Sequence, residues 1–105
     1  MQGFTETIYR IALHGFYNGG DFFGIYNGTV FEKGCLDPVD FKEYEDALTI
    51  AKIQCINVAS DPEFSGRRVI AIDKFMREGA NIDILPVAWI HIEGDGLNPF
   101  VEEIS

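Results

Sequence analysis

Four side chains in the sequence are of types that bind soft metal ions or act as nucleophiles: His14, Cys35, Cys55 and His91. No two of them have the short spacing of a zinc knuckle or zinc ribbon, so a metal site would have to be assembled entirely by the fold. Cys35 is the most suggestive thiol, because it precedes a predicted helix whose N-terminus would lower the thiol pKa. Asp37 competes for the same helix dipole. We therefore predict no metal and no cofactor.

Acid–base chemistry would have to use carboxylates, and the candidates are Glu43, Asp46 and Asp73. General acid–base catalysis requires a carboxyl group placed against a reacting atom, usually with a shifted pKa. Most aspartates and glutamates are instead exposed and solvated. The sequence therefore predicts no catalytic residue.

The stretch GFYNGGDFFGIYNG, residues 15–28, is rich in glycine and in aromatic residues. A phosphate-binding loop would need a helix after it and a basic side chain, whereas a strand-like segment follows and the charged residue is Asp21. The rings could instead form a platform on which bases stack. Its members would be Phe16, Tyr17, Phe22, Phe23, Tyr26 and Phe31. We interpret the stretch as two turns of an antiparallel meander, with most of the rings in the core.

Alternating apolar residues predict the first strand and the turns that follow it. Tyr9, Ile11 and Leu13 share one face of a half-buried strand. Asn27-Gly28 lies between two β-rich segments and is a strong hairpin signal. Gly24, inside the second strand, indicates a bulge or a close backbone approach.

Two later segments are also predicted as strands. The segment RRVIAIDKF, residues 67–75, fits both periods, and we favour a strand because it is rich in β-branched residues. The segment IDILPVAWIHIE, residues 82–93, alternates clearly. Pro86 within it indicates an edge position or a bulge.

The apolar period changes in the middle of the chain, where residues recur at helical spacing: Phe41, Tyr44, Leu48, Ala51 and Cys55. This spacing predicts an amphipathic helix with Asp37 as its N-cap and Pro38 in its first turn. At 100° per residue, Ile50 and Ile53 point away from the apolar stripe. Either the helix is covered on two sides, or it ends early.

These elements predict an α+β fold, an antiparallel sheet of four to five strands with one principal amphipathic helix packed on one face, in the order β-β-β-α-β-β. The length of 105 residues suits one core, so we expect residues 1–105 to form a single compact domain with residues 94–105 as a loosely held tail. No leader or long apolar run is found. We expect a soluble protein of the cytoplasm, or of the host cytoplasm if the source is viral.

Charge is the strongest functional signal in the sequence. Seventeen acidic residues against eight basic residues give a formal net charge of −9 at pH 7. Proteins that bind a nucleic-acid backbone cluster lysine and arginine to neutralise phosphates, so direct binding of nucleic acid is disfavoured. The partner that such a field favours is a protein with a basic surface, and a homodimer is a further option.

These properties together predict a small acidic, non-enzymatic protein-binding domain. One form would be an inhibitor that occupies the basic site of a nucleic-acid-binding enzyme, as phage-encoded inhibitors of restriction or CRISPR systems do. The residues expected to contact the partner are Asp37, Asp40, Glu43, Glu45, Asp46, Ile50 and Ile53. One alternative is a small-molecule or nucleotide-binding regulator, or a small enzyme, with its site among the meander aromatics. Another is a homo-oligomeric structural protein.

Overall fold

In the computed structural model, which describes residues 5–15, 22–62 and 68–104, six strands form one antiparallel sheet and one helix packs against it. The strands are β1 (Thr5–His14), β2 (Phe22–Tyr26), β3 (Phe31–Glu32), β4 (Val69–Glu78), β5 (Asn81–His91) and β6 (Phe100–Glu103). The helix α1 is Tyr44–Ala59. The strand order in the sheet is β3-β2-β1-β4-β5-β6. The predicted α+β class is confirmed, with six strands rather than four to five.

The centre of the sheet is the long antiparallel pair of β1 and β4. The two strands are in register from Thr5 opposite Glu78 to His14 opposite Val69. For the segment RRVIAIDKF, the prediction of a strand rather than a helix is therefore confirmed from Val69 onward. The predicted alternation in β1 is also confirmed, since Ile11 and Leu13 are fully buried in the core.

Two irregularities predicted from single residues lie where expected. Pro86 is opposite Asp73, and the register shifts there so that Val87 is an extra residue in β5. Gly24 has φ 149°, and a Cβ at this position would overlap the backbone of Glu32 in the neighbouring strand. Both the bulge and the close backbone approach are thus real features of the sheet.

The turn between β2 and β3 is at the predicted position but has a different form. Four residues, 27–30, connect the strands, and the Asn27 amide donates to the Val30 carbonyl at 3.0 Å. The Asn27 side-chain oxygen accepts hydrogen bonds from the amides of Thr29 and Val30. Asn27 therefore acts as an Asx-turn residue at the start of the connection. The first of the two predicted turns, at NGG (residues 18–20), lies outside the described residues.

Part of the segment that we expected to be a loosely held tail is instead a strand. Residues Phe100–Glu103 form β6 and pair with Ala88–His91 of β5. The Ile104 amide continues the pairing by donating to the carbonyl of Val87 at 2.9 Å. This edge strand is the sixth strand that the sequence analysis did not predict.

The helix begins later than predicted. Asp37 is not its N-cap, because the chain before the helix pairs with β1: the Phe41 amide donates to the Tyr9 carbonyl at 2.8 Å, and the Tyr9 amide donates to the Phe41 carbonyl at 2.7 Å. Glu43 occupies the N-cap position, with extended backbone and no side-chain cap hydrogen bond. Pairing with β1 prevails over the local helix-start signal of Asp37-Pro38, because the tertiary hydrogen bonds satisfy the backbone of the segment.

The helix packs on one face of the sheet through small residues. Ala47, Ala51 and Cys55 are fully buried, and Val58 nearly so. Small side chains allow the helix backbone to lie close to the sheet, whose largest buried residues on this face are Ile11, Leu13, Ile70, Ile72 and Ile90. The helix continues through Cys55, so it does not end early.

The loop before β6 makes a close contact with the helix backbone at Gly96. This glycine has φ 81°, and a Cβ would overlap the carbonyl group of Cys55 and lie 2.9 Å from the Cα of Ile56. A larger residue at this position must therefore push the loop away from α1.

We expect Gly96→Ala to lower the free energy of unfolding by about 2 to 4 kcal/mol, since it combines a strained φ with a backbone clash. Gly94→Ala is the matched control, because Gly94 has φ 55° but open space around its Cα. It should cost about 1 kcal/mol. Urea denaturation of both variants measures the difference, and equal losses would contradict the close contact.

Candidate binding surfaces

The acidic residues that were predicted to contact a partner lie in two different environments. Asp40 lies beside β1, where its carboxylate accepts a hydrogen bond from Nε of Arg10 at 2.6 Å. Its charge is therefore matched locally. Glu45 and Asp46 are exposed in the first turn of α1, and Glu43 directly precedes them. Asp37 is exposed in a bend of the segment before the helix.

A carboxylate from the end of the chain joins the acids of the helix. The hydroxyl of Tyr44, the first helical residue, donates to Oε2 of Glu103 in β6 at 2.9 Å. Burial raises the pKa of Tyr44 to about 12, and the hydrogen bond and charge of Glu103, together with the charge of Glu45, act in the same direction. We call Glu43, Glu45, Asp46 and Glu103 the acidic helix start.

The two isoleucines predicted to face a partner differ in their surroundings. Ile50 does not point away from the core, since it packs against the core residues from the flank of the buried helix face. Ile53 is 48% exposed. The apolar stripe predicted from the sequence correctly included Ala51 and Cys55, but it was too narrow, because Ala47, Gln54 and Val58 are also buried.

We expect Ile50→Lys to lower the free energy of unfolding by about 2 to 4 kcal/mol, because it places a charge against the core. Ile53→Lys, three residues along the same helix, should change it by no more than about 0.5 kcal/mol. Thermal unfolding of the two variants measures this. Similar losses in both would mean that Ile53 is also needed for packing.

The sheet face opposite α1 has no helix on it in the described part of the chain, and we call it the open face. Register and alternation place on it the even-numbered residues of β1 and the odd-numbered residues of β4. Many of its side chains are apolar: Ile8, Ala12, Phe22, Ile25, Val69, Ala71, Phe75, Ile82, Ile84, Trp89 and Phe100. Phe22, Ile82, Ile84 and Phe100 are exposed on it, whereas Ala12, Val69 and Ala71 are buried. Exposed apolar side chains that share one face are typical of an interaction surface.

Aromatic and imidazole rings follow one line across the open face, and we call them the ring row: Phe22, His14, Trp89, His91 and Phe100. The rings of His14 and Phe22 are 5.4 Å apart, and His14 meets Trp89 edge-on at 6.1 Å. His91 stacks on Phe100 at 5.4 Å and 30°. Positions on four strands, β2, β1, β5 and β6, therefore bring two groups of contacting rings onto the open face.

Two carboxylates lie on this face, one on each of the two strands that pair with β5. Glu102 is directly opposite Trp89 in β6, and its Oε1 lies 3.1 Å from Nε2 of His91. Asp73 is on the other side, in β4, where it is directly opposite Arg10. The guanidinium group of Arg10 is nevertheless turned away, onto the ring of Phe75 at 4.6 Å and toward Asp40.

Asp73 therefore has no hydrogen-bond or ion-pair partner among the residues that the structure describes. Burial raises the pKa of its carboxyl group, while the nearby His14 lowers it by a smaller amount. Burial lowers the pKa of His14, against the opposing charge of Asp73. Nδ1 of His14 is buried without a hydrogen-bond partner. Both groups are held where their charged forms are poorly solvated.

We expect Asp73→Asn to raise the melting temperature at pH 7, because it removes an ionised, half-buried carboxylate. The folded-state pKa of Asp73 lies above its unfolded value, so the folded wild type takes up this proton first as the pH falls. The gain from Asp73→Asn should therefore be present at pH 7 and disappear toward pH 4. Asp83→Asn, at an exposed position of β5, is the control and should change little. A lower melting temperature for Asp73→Asn at pH 7 would show that the carboxylate already has a favourable partner.

A shallow groove lies at the far end of the open face, beyond Asp73. Its volume is about 270 Å³, and its floor is formed by Ile8, Phe75 and Ile84. Two ion pairs border it, Arg10 with Asp40 and Arg77 with Glu6 at 2.9 Å. Its charges are balanced, and the volume lies at the lower limit for sites that enclose small molecules.

The four side chains considered as metal ligands or nucleophiles do not form one cluster. Cys55 is on the buried side of the helix, and burial raises its thiol pKa to about 12. Cys35 is a free, half-buried thiol in the segment between β3 and α1. His14 and His91 share the ring row. Within the described residues, no three histidine, cysteine, aspartate or glutamate side chains come together as a metal site.

Among the described residues, the meander aromatics are divided between the core and the open face rather than gathered on one surface. Phe23, Tyr26 and Phe31 pack against the core, and Phe16 and Tyr17 lie outside the described residues. Of the six rings, Phe22 is the one that the structure places on the open face. The other members of the ring row come from strands that are far away in sequence, and their alternation with buried residues was the signal that could have found them.

Comparison of the chain with known protein families, with curated proteins and with solved structures finds no match. Among the described residues, no helix is long and apolar enough to span a membrane. The surfaces of the molecule are therefore the basis for assigning a function.

Proposed function

We propose that this protein is a small acidic, non-enzymatic binding domain whose partner is a protein with a basic surface. The observation that supports this most is the acidic helix start. It joins carboxylates of the helix to Glu103 of β6 through the hydroxyl of Tyr44. Acids from two distant parts of the sequence thus lie on one exposed end of the molecule.

The charge of this surface exceeds what the fold itself can balance. A helix N-terminus carries about half a positive charge, so it offsets only a small part of four carboxylates. Lys42 is the one basic residue in the sequence between positions 34 and 51. The remaining negative potential favours a cationic surface and speeds its encounter with this end of the molecule.

An inhibitor of a nucleic-acid-binding enzyme is the form of this function that we favour. Such an enzyme presents lysine and arginine side chains where phosphates bind, and a rigid array of carboxylates can occupy the same positions. The helix fixes the backbone spacing of Glu45 and Asp46, and Glu43 is its N-cap, which lowers the entropy cost of binding.

We expect the double reversal Glu43→Lys/Asp46→Lys to weaken binding of the cationic partner mainly by slowing association, because like charges then oppose each other. The partner is captured on immobilised protein from cells that carry the gene and identified by mass spectrometry. Association rates are then measured over a salt series. The difference between variant and wild type should shrink as salt rises.

The matched control is Glu78→Lys/Asp83→Lys, which changes the net charge equally at exposed positions of the β4–β5 hairpin. It should retain most of the association rate. Equal slowing by both double variants would mean that net charge, rather than the acidic helix start, governs association. Unchanged affinity of Glu43→Lys/Asp46→Lys at low salt would remove the acidic helix start from the interface.

A further inference from the structure

One end of the sheet is a ribbon of three strands. It consists of residues 5–9 of β1, 74–78 of β4 and 81–85 of β5, which stay paired with one another to the tip of the β4–β5 hairpin. The neighbouring strands do not reach it, because β2 pairs with residues 12–14 of β1 and β6 pairs with residues 88–91 of β5. We call these three segments the ribbon.

The ribbon projects beyond the helix. The helix begins at Tyr44, whose ring meets the ring of Tyr9 edge-on at 6.0 Å. It runs toward the opposite end of the sheet, where the carbonyl of Val58 accepts a hydrogen bond from Arg68. The molecule is accordingly elongated, with extents of 51, 27 and 23 Å.

The open face of the ribbon is apolar at its centre. Four side chains line the shallow groove there, and we call them the ribbon patch: Ile8, Phe75, Ile82 and Ile84. Ile82 and Ile84 are each more than half exposed. A sheet normally buries its apolar face against another layer of structure, and the described residues supply no such layer for the ribbon.

The charges around the ribbon patch cancel. Glu6 and Arg77 form an ion pair at 2.9 Å toward the tip, and Arg10 and Asp40 form the pair at the inner border. The four charges that line the groove therefore sum to zero, in a chain whose net charge is −9.

We propose that the ribbon patch is a self-association surface, on which a second copy of this chain packs patch against patch around a two-fold axis. This inference goes beyond the proposed function and does not depend on it, because the basic partner is assigned to the acidic helix start.

The charge distribution selects a second copy as the occupant. Two chains of net charge −9 repel each other wherever their acidic surfaces meet, whereas a neutral surface opposes no like charges. A cationic partner gains no attraction from the neutral ribbon patch. In a two-fold pair, the apolar centres meet and the ion pairs form a polar rim, which is the usual arrangement of an isologous interface.

The size of the ribbon sets the strength of the contact. Three strands of five residues cover about 14 by 17 Å, or about 240 Å² in projection. A stable complex buries about 800 Å² on each partner. We therefore expect a weak dimer with a dissociation constant on the order of 100 μM.

Sedimentation equilibrium of the full chain, from about 10 μM to about 1 mM at pH 7.5, tests the association. The average mass should rise from that of one chain toward that of two. Raising the salt from about 0.05 to 0.5 M should strengthen association about threefold, because salt screens the repulsion between two acidic chains. The mass of a single chain at every concentration, or association that salt weakens, would overturn the proposal.

Two lysine substitutions locate the surface. Ile84 and Leu85 are neighbours in β5 with similar exposure, 54% and 50%, but they lie on opposite faces of the ribbon. Ile84→Lys should weaken association at least tenfold, because the two-fold axis brings two lysines into one apolar contact. Leu85→Lys changes the net charge equally and should associate like the wild type. Equal weakening by both variants would overturn the ribbon patch, and thermal unfolding verifies that both are folded.

A second matched pair tests the charge balance with no change in the apolar side chains. Arg77→Glu leaves Glu6 without its cation and gives the open face of the ribbon two negative charges in each copy, so it should weaken association about tenfold. Lys74→Glu makes the same change in net charge on the other face, opposite Leu85, and should have a much smaller effect. Equal effects would mean that net charge alone governs self-association, and the proposal would fail.

The variant Glu43→Lys/Asp46→Lys separates this surface from the acidic helix start. It lowers the net negative charge, so its self-association should be at least as strong as that of the wild type. Loss of self-association in this variant would place the contact at the helix and overturn the ribbon patch. Ile84→Lys should still bind the basic partner, so failure of either proposal leaves the other to be judged on its own measurement.

Discussion

One helix can cover only one face of a six-stranded sheet, and this limit determines most of the surface chemistry of the molecule. The sixteen residues of α1 rise about 24 Å, which is shorter than the ten- and eleven-residue strands of about 33 Å on which the helix lies. The helix therefore covers only part of one face of the sheet, and it does not lie against the other face. On the other face, no helix of the described residues covers the side chains of the sheet.

The open face is stabilised partly by its own side chains. Ala12, Val69 and Ala71 are almost completely buried, although no helix of the described residues lies over them. Rings in contact with each other remove apolar area from water without a second layer. The face can thus be aromatic and solvent-accessible at the same time, which is the condition for recognition by a partner.

The sequence was informative where local chemistry decides the structure and uninformative where distant segments compete. Gly24, Pro86 and the alternation in β1 were correctly interpreted, since each acts through its own backbone or its immediate neighbours. The start of α1 was misplaced because Phe41 bonds Tyr9, a partner 32 positions earlier. The acids were recognised one by one, but the contact between Tyr44 and Glu103 and the grouping of the ring row depend on strand order, which no local pattern records.

The central place of β1 also affects how the chain can fold during its synthesis. Its ladder partner β4 begins at Val69, 55 residues after β1 ends at His14, so β1 leaves the ribosome long before the strand that completes it. At about 5 to 20 residues per second, the apolar side of β1 waits for roughly 3 to 11 seconds with only the short β2 and the Phe41 segment available to pair with it. Such a topology, dominated by non-local pairing, is expected to fold slowly and only after most of the chain has emerged.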